Sequence, residues 1–270
     1  MKKVILVTGA SSGMGKVSAM QLIKEGHLVY GLAPQVKEMQ DLVDAGGYAI
    51  EVDVTNDEQM KTAVAHVIKE QGRIDVLWNN AGYGLFGPIE EIDIDQARHQ
   101  YEVNVFGLAR MTQLVLPYMR EQKSGTIINT SSMGGKIYFP LGAWYHSTKH
   151  AVEGWSDCLR LDLKEFNIDV VVLEPGFIET NFGQNVLAHF PKDSDKGPYK
   201  KLVRAMIKAS ERGGFTGSSP QVIADTISKI VSAKKPKTRY LVGKMAKPMV
   251  FLRKYCGDRI FDAIVMRSYK

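Results

Sequence analysis

Cysteine is nearly absent: of 270 residues, only Cys158 and Cys256 carry a thiol. One falls in a helical pattern and the other near the C-terminal end, so a disulfide framework is excluded as the source of stability. A reducing, cytoplasmic setting is expected. Long apolar runs are missing too. No stretch approaches the ~18 apolar residues of a membrane-spanning helix. The opening MKKVILVTGASSG has the lysines of a secretory leader, but its apolar run ends at VILV, before glycine and serine. It is read as a first strand instead. No internal repeat or low-complexity segment occurs, and no metal ion is expected. With 44% apolar residues the chain can bury a sizeable core, and residues 1–270 are read as one large domain.

Acidic residues are scarce at one end. The net charge of +6 is uneven, because residues 230–270 carry eleven Lys and Arg against Asp258 and Asp262. The basicity therefore belongs to the tail, KMAKPMVFLRKYCGDRIFDAIVMRSYK. Docking on anionic lipid or nucleic acid is one reading of such a tail. Its lysines are scattered rather than blocked, so a solvated charged face with packing residues is preferred, and no nucleic-acid partner is expected.

Short β-branched runs alternate with helical patterns: KVILVT, GKVSAMQLIKEG, HLVYGL, VKEMQDLVDAG, YAIEVDV, DEQMKTAVAHVIKEQG and IDVLWNN. The alternation predicts βαβ units and a parallel sheet. It continues with a long helix over about Ile94 to Arg120, a strand GTIINTS, a helix through YHSTK, and a strand IDVVVLEP. A helix SPQVIADTISKIVSA and a strand TRYLVG close it, giving seven strands. Residues 176–219 break this rhythm with Gly and Pro around the amphipathic piece YKKLVRAMIKASERGG, as lids and binding loops do.

VTGASSGMGK sets Gly9, Gly13 and Gly15 after the first strand and at the opening of a helix. Glycine lets the backbone turn sharply toward a pyrophosphate, and free N–H groups with the helix dipole favour the anion. In doubly wound sheets a ligand sits beyond the carboxyl ends of the strands, where strand order reverses. Asp53 of VDVTN and Asn80, Ala81 and Gly82 of WNNAGYG belong to such ends and suit an adenosine.

In YHSTK, Tyr145 and Lys149 are i,i+4 neighbours on one helix face. A cation there stabilises phenolate. Lowering a tyrosine from about 10 to about 7 requires roughly 4 kcal/mol. A lysine ~4 Å away supplies about 1 kcal/mol in water and about 4 kcal/mol at an effective dielectric of 20, so partial burial is expected.

TGASSGMG, DVT, NNAG, the Asn of EVNVFG, TSS, YHSTK and EPGFIET together resemble the motif set of the short-chain dehydrogenase/reductase family, in its compact single-domain branch. The resemblance runs motif by motif from Val4 to Thr180. It implies an α/β, doubly wound Rossmann-type fold with a seven-stranded parallel sheet flanked by helices, a nicotinamide cofactor, and hydride transfer between a secondary alcohol and a ketone. It further implies Tyr145 as general acid/base and Lys149 as the group that lowers its pKa and bonds the nicotinamide ribose. Ser132 would hold the substrate oxygen, with Ser131 as fallback, and Asn104 would anchor a proton-relaying water. Cofactor contact is implied for Gly9, Ser11, Ser12, Gly13, Met14, Gly15, Asp53, Val54, Asn80, Ala81, Gly82, Tyr145, Lys149, Pro175, Gly176, Ile178 and Thr180. Family members are commonly dimers or tetramers, so a homo-oligomer is expected.

After the second strand the pattern departs. An acid there would bond a ribose diol and an arginine a 2′-phosphate, but the chain has Ala33, Pro34 and Gln35. NADP is slightly favoured over NAD, with Lys37 or Lys16 as substitute partners and weak discrimination. Tyr83, Leu85, Phe86, Met133, Tyr138, Phe139 and Leu141 flank the expected site and suit a hydrophobic carbonyl substrate of steroid, retinoid or lipid-like type. The rival reading is a dinucleotide-binding redox sensor of the same fold that turns over nothing.

Overall fold

Strand β1 (Val4–Thr8) runs through the middle of the sheet with all five residues buried. Its run is apolar up to Thr8 because both faces are covered. Leu6 enters one core with Met60, Val64, Met111 and Val115, whereas Ile5 and Val7 enter the other with Ala19, Leu22, Ile223 and Ile227. The computed structural model describes residues 2–183, 186, 190–211, 216–267 and 269.

Strands β2 (Leu28–Ala33), β3 (Tyr48–Glu51), β4 (Val76–Asn79), β5 (Gly125–Thr130), β6 (Ile168–Pro175) and β7 (Arg239–Val242) complete the sheet. Their order is β3-β2-β1-β4-β5-β6-β7, and every pairing is parallel. The seven parallel strands expected from the sequence are all present. The helices are α1 (Gly13–Lys24), α2 (Gln40–Asp44), α3 (Asp57–Gln71), α4 (Ile94–Tyr101), α5 (Leu108–Gln122), α6 (Ala143–Asp162), α7 (Lys200–Glu211), α8 (Gln221–Ser232) and α9 (Ala246–Arg267). Residues of α1 and α8 cover one face of the sheet, and residues of α3, α5 and α6 the other. Strand order reverses between β1 and β4, which opens a crevice at their carboxyl ends.

Two helices differ from the sequence expectation. The long helix expected over Ile94 to Arg120 is interrupted by a π-helical turn, Glu102–Gly107, between α4 and α5. The cause is tertiary: Gly107 lies so close to the β3–α3 connection that an added Cβ would stand 2.6 Å from the Val54 carbonyl oxygen. The wider turn carries Asn104, which is buried. The helix expected through VKEMQDLVDAG is instead a 3₁₀ turn, Val36–Met39, followed by the short α2. There Lys16 reaches across from α1, donating to the Glu38 carbonyl at 2.6 Å and pairing with Asp41 at 3.1 Å.

The basic tail is helical. Its segment α9 is broken at Gly257, whose φ of 74° is left-handed. Met249, Phe261 and Val265 turn inward and pack with Met133 and Ile137. Of the expected lid over 176–219, residues 184, 185, 187–189 and 212–215 lie outside the described residues.

Candidate active site

The carboxyl ends of β1 and β4 are stapled together. Thr8 Oγ1 accepts from the Asn80 and Ala81 N–H groups, both at 3.0 Å, and Asn80 Nδ2 donates to the Gly9 carbonyl at 3.1 Å. This closeness explains the glycines. Gly9 has a φ of 66°, and a Cβ on it would come within 2.9 Å of Ala81 Cα. A Cβ on Gly15 would strike the Gly9 carbonyl oxygen at 2.2 Å. Helix α1 therefore starts against the strand ends. Its N-cap, Ser12, makes no capping bond through its side chain, and no acid occupies the first turn. That helix start presents unfilled donors and a favourable dipole to an anion. Nearby, the buried Asn80 Oδ1 has no hydrogen-bond partner among the described residues.

A cavity of about 680 Å³ extends from this turn across the strand ends. Gly9, Ser11, Ser12, Gly13 and Met14 line one end, together with Ala33, Pro34 and Gln35. Asn80, Ala81, Gly82, Ser132, Tyr145, Lys149, Pro175, Gly176, Ile178 and Thr180 continue the wall. Three expected contacts lie off it. Gly15 stands behind the turn, Val54 is buried against Gly107, and Asp53 accepts from Thr55 N–H and Oγ1–H at 2.9 and 2.8 Å.

The opposite end is polar at its centre and apolar around it. Tyr145 is buried between the rings of Phe86 and Phe182, each 5.4 Å away between centroids. Ser132 accepts from Gly134 N–H at 2.9 Å, which orients its hydroxyl, and it hydrogen-bonds the phenol. Ser131 also lines the cavity, but its hydroxyl is turned to the Lys149 carbonyl at 3.4 Å. Lys149 is buried one turn below Tyr145, with Nζ donating to the Thr130 carbonyl at 2.9 Å and standing 5.9 Å from the phenol ring centroid. Gly82 fits between Lys149 and Asn104.

The electrostatics correct one expectation. Burial pushes the Tyr145 phenol up to about 12, with the Ser132 hydrogen bond acting the other way. Burial also pulls Lys149 down to about 8, opposed by Glu153. Desolvation penalises both charged forms, so the lysine alone does not make this tyrosine acidic. The i,i+4 spacing gives adjacency, whereas the balance is set by how much water each group loses.

The Asn104 amide bonds Tyr83 at both backbone atoms and donates to Thr148 Oγ1 at 3.1 Å. Of the expected apolar lining, Tyr83, Phe86, Met133 and Phe139 reach the cavity. Leu85 packs instead with Ile92 and Ala97, Tyr138 meets Phe261 edge to face, and Leu141 joins a cluster with Phe86 and Val186. Sequence reasoning missed the tail's share: Met245, Met249, Ile264, Val265 and Tyr269 also line the wall, as do Met206 and Ala209 of α7. The apolar i,i+4 pair Phe261 and Val265 was the available signal.

Residues 3–189 match the family model described as short chain dehydrogenase. The chain is 38% identical to a 3-ketodihydrosphingosine reductase of Bacteroides thetaiotaomicron, over 91% of this chain and 89% of that one. Among solved structures it is similar to a short-chain dehydrogenase from Streptomyces avermitilis, at 33% identity and a TM-score of 0.82, covering 93% and 92% of the two chains. Two further structures carry dinucleotides: a serine dehydrogenase complexed with NADP+ (27% identity, TM-score 0.76, 89% and 94% covered) and a 3-ketoacyl-(acyl-carrier-protein) reductase from Brucella melitensis complexed with NADH (26%, 0.72, 88% and 94%).

Proposed function

The chain belongs to the short-chain dehydrogenase/reductase family, and we propose that it is an NAD(P)-dependent oxidoreductase interconverting a secondary alcohol and a ketone on an apolar, lipid-like substrate. The meeting of Ser132, Tyr145 and Lys149 on one cavity wall, across from the donor-rich turn at Gly9–Gly13, carries this reading. The cavity fits a dinucleotide at that turn, where glycines admit close approach and the α1 amides are unfilled. Bound there, the dinucleotide supplies the hydride and, when oxidised, adds positive charge to the field that stabilises phenolate.

The chain's own groups handle the proton. In reduction, the Tyr145 hydroxyl gives its proton to the substrate oxygen; in oxidation, its oxygen takes the proton back. Ser132, fixed by Gly134 N–H, bonds the substrate oxygen and stabilises the negative charge that develops on it. Lys149, lowered to about 8 by burial, supports the phenolate in its charged form and would bond the ribose of a bound dinucleotide. Asn104 holds the backbone at Tyr83 beside this group.

Phe86, Phe139, Phe182, Met206 and Met249 surround the reacting end with apolar surface, which favours a long or bulky hydrocarbon substrate over a sugar. The related 3-ketodihydrosphingosine reductase supports the same class. NADP is slightly favoured over NAD, because no acid lines the cavity at Ala33–Gln35 to repel a 2′-phosphate. The domain is taken as 1–270, with 176–219 as its lid. Exposed Phe106 and Leu161, near or on the helices that carry Asn104 and Tyr145, favour a homo-oligomer. Two unbridged cysteines favour the cytoplasm. No helix among the described residues is long and apolar enough to cross a membrane.

The test pairs parent and Tyr145→Phe with NADPH and NADH across ketones running from small and polar to long-chain. The expected result is equal cofactor binding, turnover of the long-chain ketones by the parent, and a loss of about a hundredfold or more in the variant. A parent that binds dinucleotide yet reduces nothing, just like the variant, would favour the redox-sensor reading.

A further inference from the structure

Thirteen large apolar side chains are exposed among the described residues, and six of them fall in the short tail: Met245, Phe251, Tyr255, Ile260, Ile264 and Met266. A concentration of this kind calls for a partner surface. Before Gly257, Phe251 and Tyr255 meet at i,i+4 with tilted rings whose centroids are 4.8 Å apart. The Lys254 ammonium lies 5.2 Å over the Tyr255 ring, and Lys247 is exposed one turn before Phe251. After Gly257, Ile260 and Ile264 share a face by the same spacing, with Arg267 a turn further on.

The charges on this surface are mostly positive. Asp258 is paired with Arg253, and the one other acid, Asp262, accepts from the Tyr138 hydroxyl at 2.9 Å. Lys247, Lys254, Arg259 and Arg267 are exposed and make no ion pair among the described residues. The inward side chains Phe261 and Val265 anchor the segment, so its outer face is held in place. Met245 and Ile264 are both exposed and part of the cavity wall, which makes the patch continuous with the cavity mouth.

We propose that the outer face of α9 docks on an anionic phospholipid bilayer, with the cavity mouth turned toward the lipid. Aromatic and aliphatic side chains interleaved with unpaired cations are what an interfacial helix needs: apolar groups enter the acyl boundary while ammonium and guanidinium groups meet lipid phosphates. A second copy of the chain is the weaker occupant, because a two-fold contact through this face would set its cations against their own counterparts. Nucleic acid would satisfy the cations and leave Phe251, Tyr255 and Ile260 in water. This inference stands on the surface alone and does not rest on the catalytic reading; it would let an amphiphilic substrate pass from bilayer to cavity without crossing water.

The full chain is tested by sedimentation with two kinds of vesicle, phosphatidylcholine alone and phosphatidylcholine with about one third phosphatidylserine, at low and high salt. Two double variants outside the cavity wall are compared, Lys247→Glu with Lys254→Glu, and Phe251→Ser with Tyr255→Ser. The parent should bind the anionic vesicles at least tenfold more tightly than the neutral ones, and lose that binding at high salt. The charge-reversed variant should lose tenfold or more, and the serine variant should lose binding to anionic vesicles with its melting temperature and cofactor affinity unchanged. The proposal is overturned if the parent ignores anionic vesicles at low salt, or if the charge-reversed variant binds them equally well. It is also overturned if the serine variant instead converts a dimer to a monomer in light scattering with vesicle binding intact.

Discussion

Asn104 and Tyr83 are joined twice: Asn104 Oδ1 accepts from the Tyr83 N–H, and Asn104 Nδ2 donates to the Tyr83 carbonyl, both at 3.0 Å. One side chain thus completes the backbone bonding of a residue on the cavity wall, and the π turn carries it. Asn104→Ala would remove both bonds to Tyr83, although Gln100 Nε2 at 3.2 Å still serves its carbonyl; one buried group left unmatched costs about 1–3 kcal/mol. Chemical denaturation should show a loss of about 1–3 kcal/mol. Asn104→Asp, which can still accept but cannot donate, should retain part of that stability. Equal stability of parent and Asn104→Ala would show that the double bond to Tyr83 does not hold the loop.

Lys149 sets activity against stability. Its pKa falls to about 8 because burial disfavours the ammonium, so between about 8 and 10.5 the unfolded chain holds more protons than the folded one, and stability rises with pH there. Below about 8 the full cost of the buried cation is present, of the order of 3 kcal/mol. Lys149→Met should therefore abolish turnover while raising stability at pH ~7 by about 1–3 kcal/mol, less whatever the unpartnered Thr130 carbonyl costs. A melting temperature below the parent's would show that the Thr130 bond outweighs the desolvation.

Local spacing made much of this legible. The strand and glycine turn at Val4–Gly15, and the Tyr145 and Lys149 pair, depend on residues near in sequence, and the structure has them where their spacing implied. The π turn was not legible, because it answers a contact between Gly107 and Val54, fifty-three residues apart. The direction of the Tyr145 shift was hidden for a related reason: i,i+4 adjacency says nothing about lost water. The tail announced its charge, but not that Met249 and Val265 would close a cavity whose other walls come from the carboxyl ends of β2, β5 and β6 and the connections after β1 and β4.

His146 is a buried brace whose proton count matters. Its Nδ1 bonds the Gly134 carbonyl at 2.9 Å and its Nε2 accepts from Phe139 N–H at 3.0 Å, a pattern that requires the neutral Nδ1–H tautomer. Gly134 and Gly142 make room for it: a Cβ on either would come within 2.8 and 2.6 Å of neighbouring ring atoms, those of His146 among them. Burial lowers its pKa to about 4, with His150 adding to the effect. The unfolded chain protonates first as pH falls, so this contribution is complete above about 6.5 and is lost between about 6.5 and 4. By pH ~5 the parent should have lost about 2 kcal/mol through this group. Denaturation curves across that range should be flatter for His146→Gln, and parallel slopes would remove His146 as the source. Because Gly134 N–H orients Ser132, the folded parent should keep its activity through this range and lose it only as pH approaches about 4, where the folded His146 takes up its proton.

Cofactor choice turns on Pro34 and Gln35, which line the cavity without offering a charge. Lys16, one of the two cations expected to take the phosphate, already bonds the Glu38 carbonyl and pairs with Asp41, so its charge is largely answered. The parent should therefore discriminate weakly, with kcat/KM for NADPH and NADH within about tenfold of each other. An arginine at this position adds a charge-assisted bond to a 2′-phosphate, worth about 1.5–3 kcal/mol, that a ribose hydroxyl does not return. Pro34→Arg should thus move the kcat/KM ratio toward NADPH by tenfold or more, and Pro34→Asp should move it toward NADH by repelling the phosphate. If both variants shift the two cofactors together, Pro34 shapes the loop rather than reading the ribose, and the preference must be sought in the backbone around the Val36–Met39 turn.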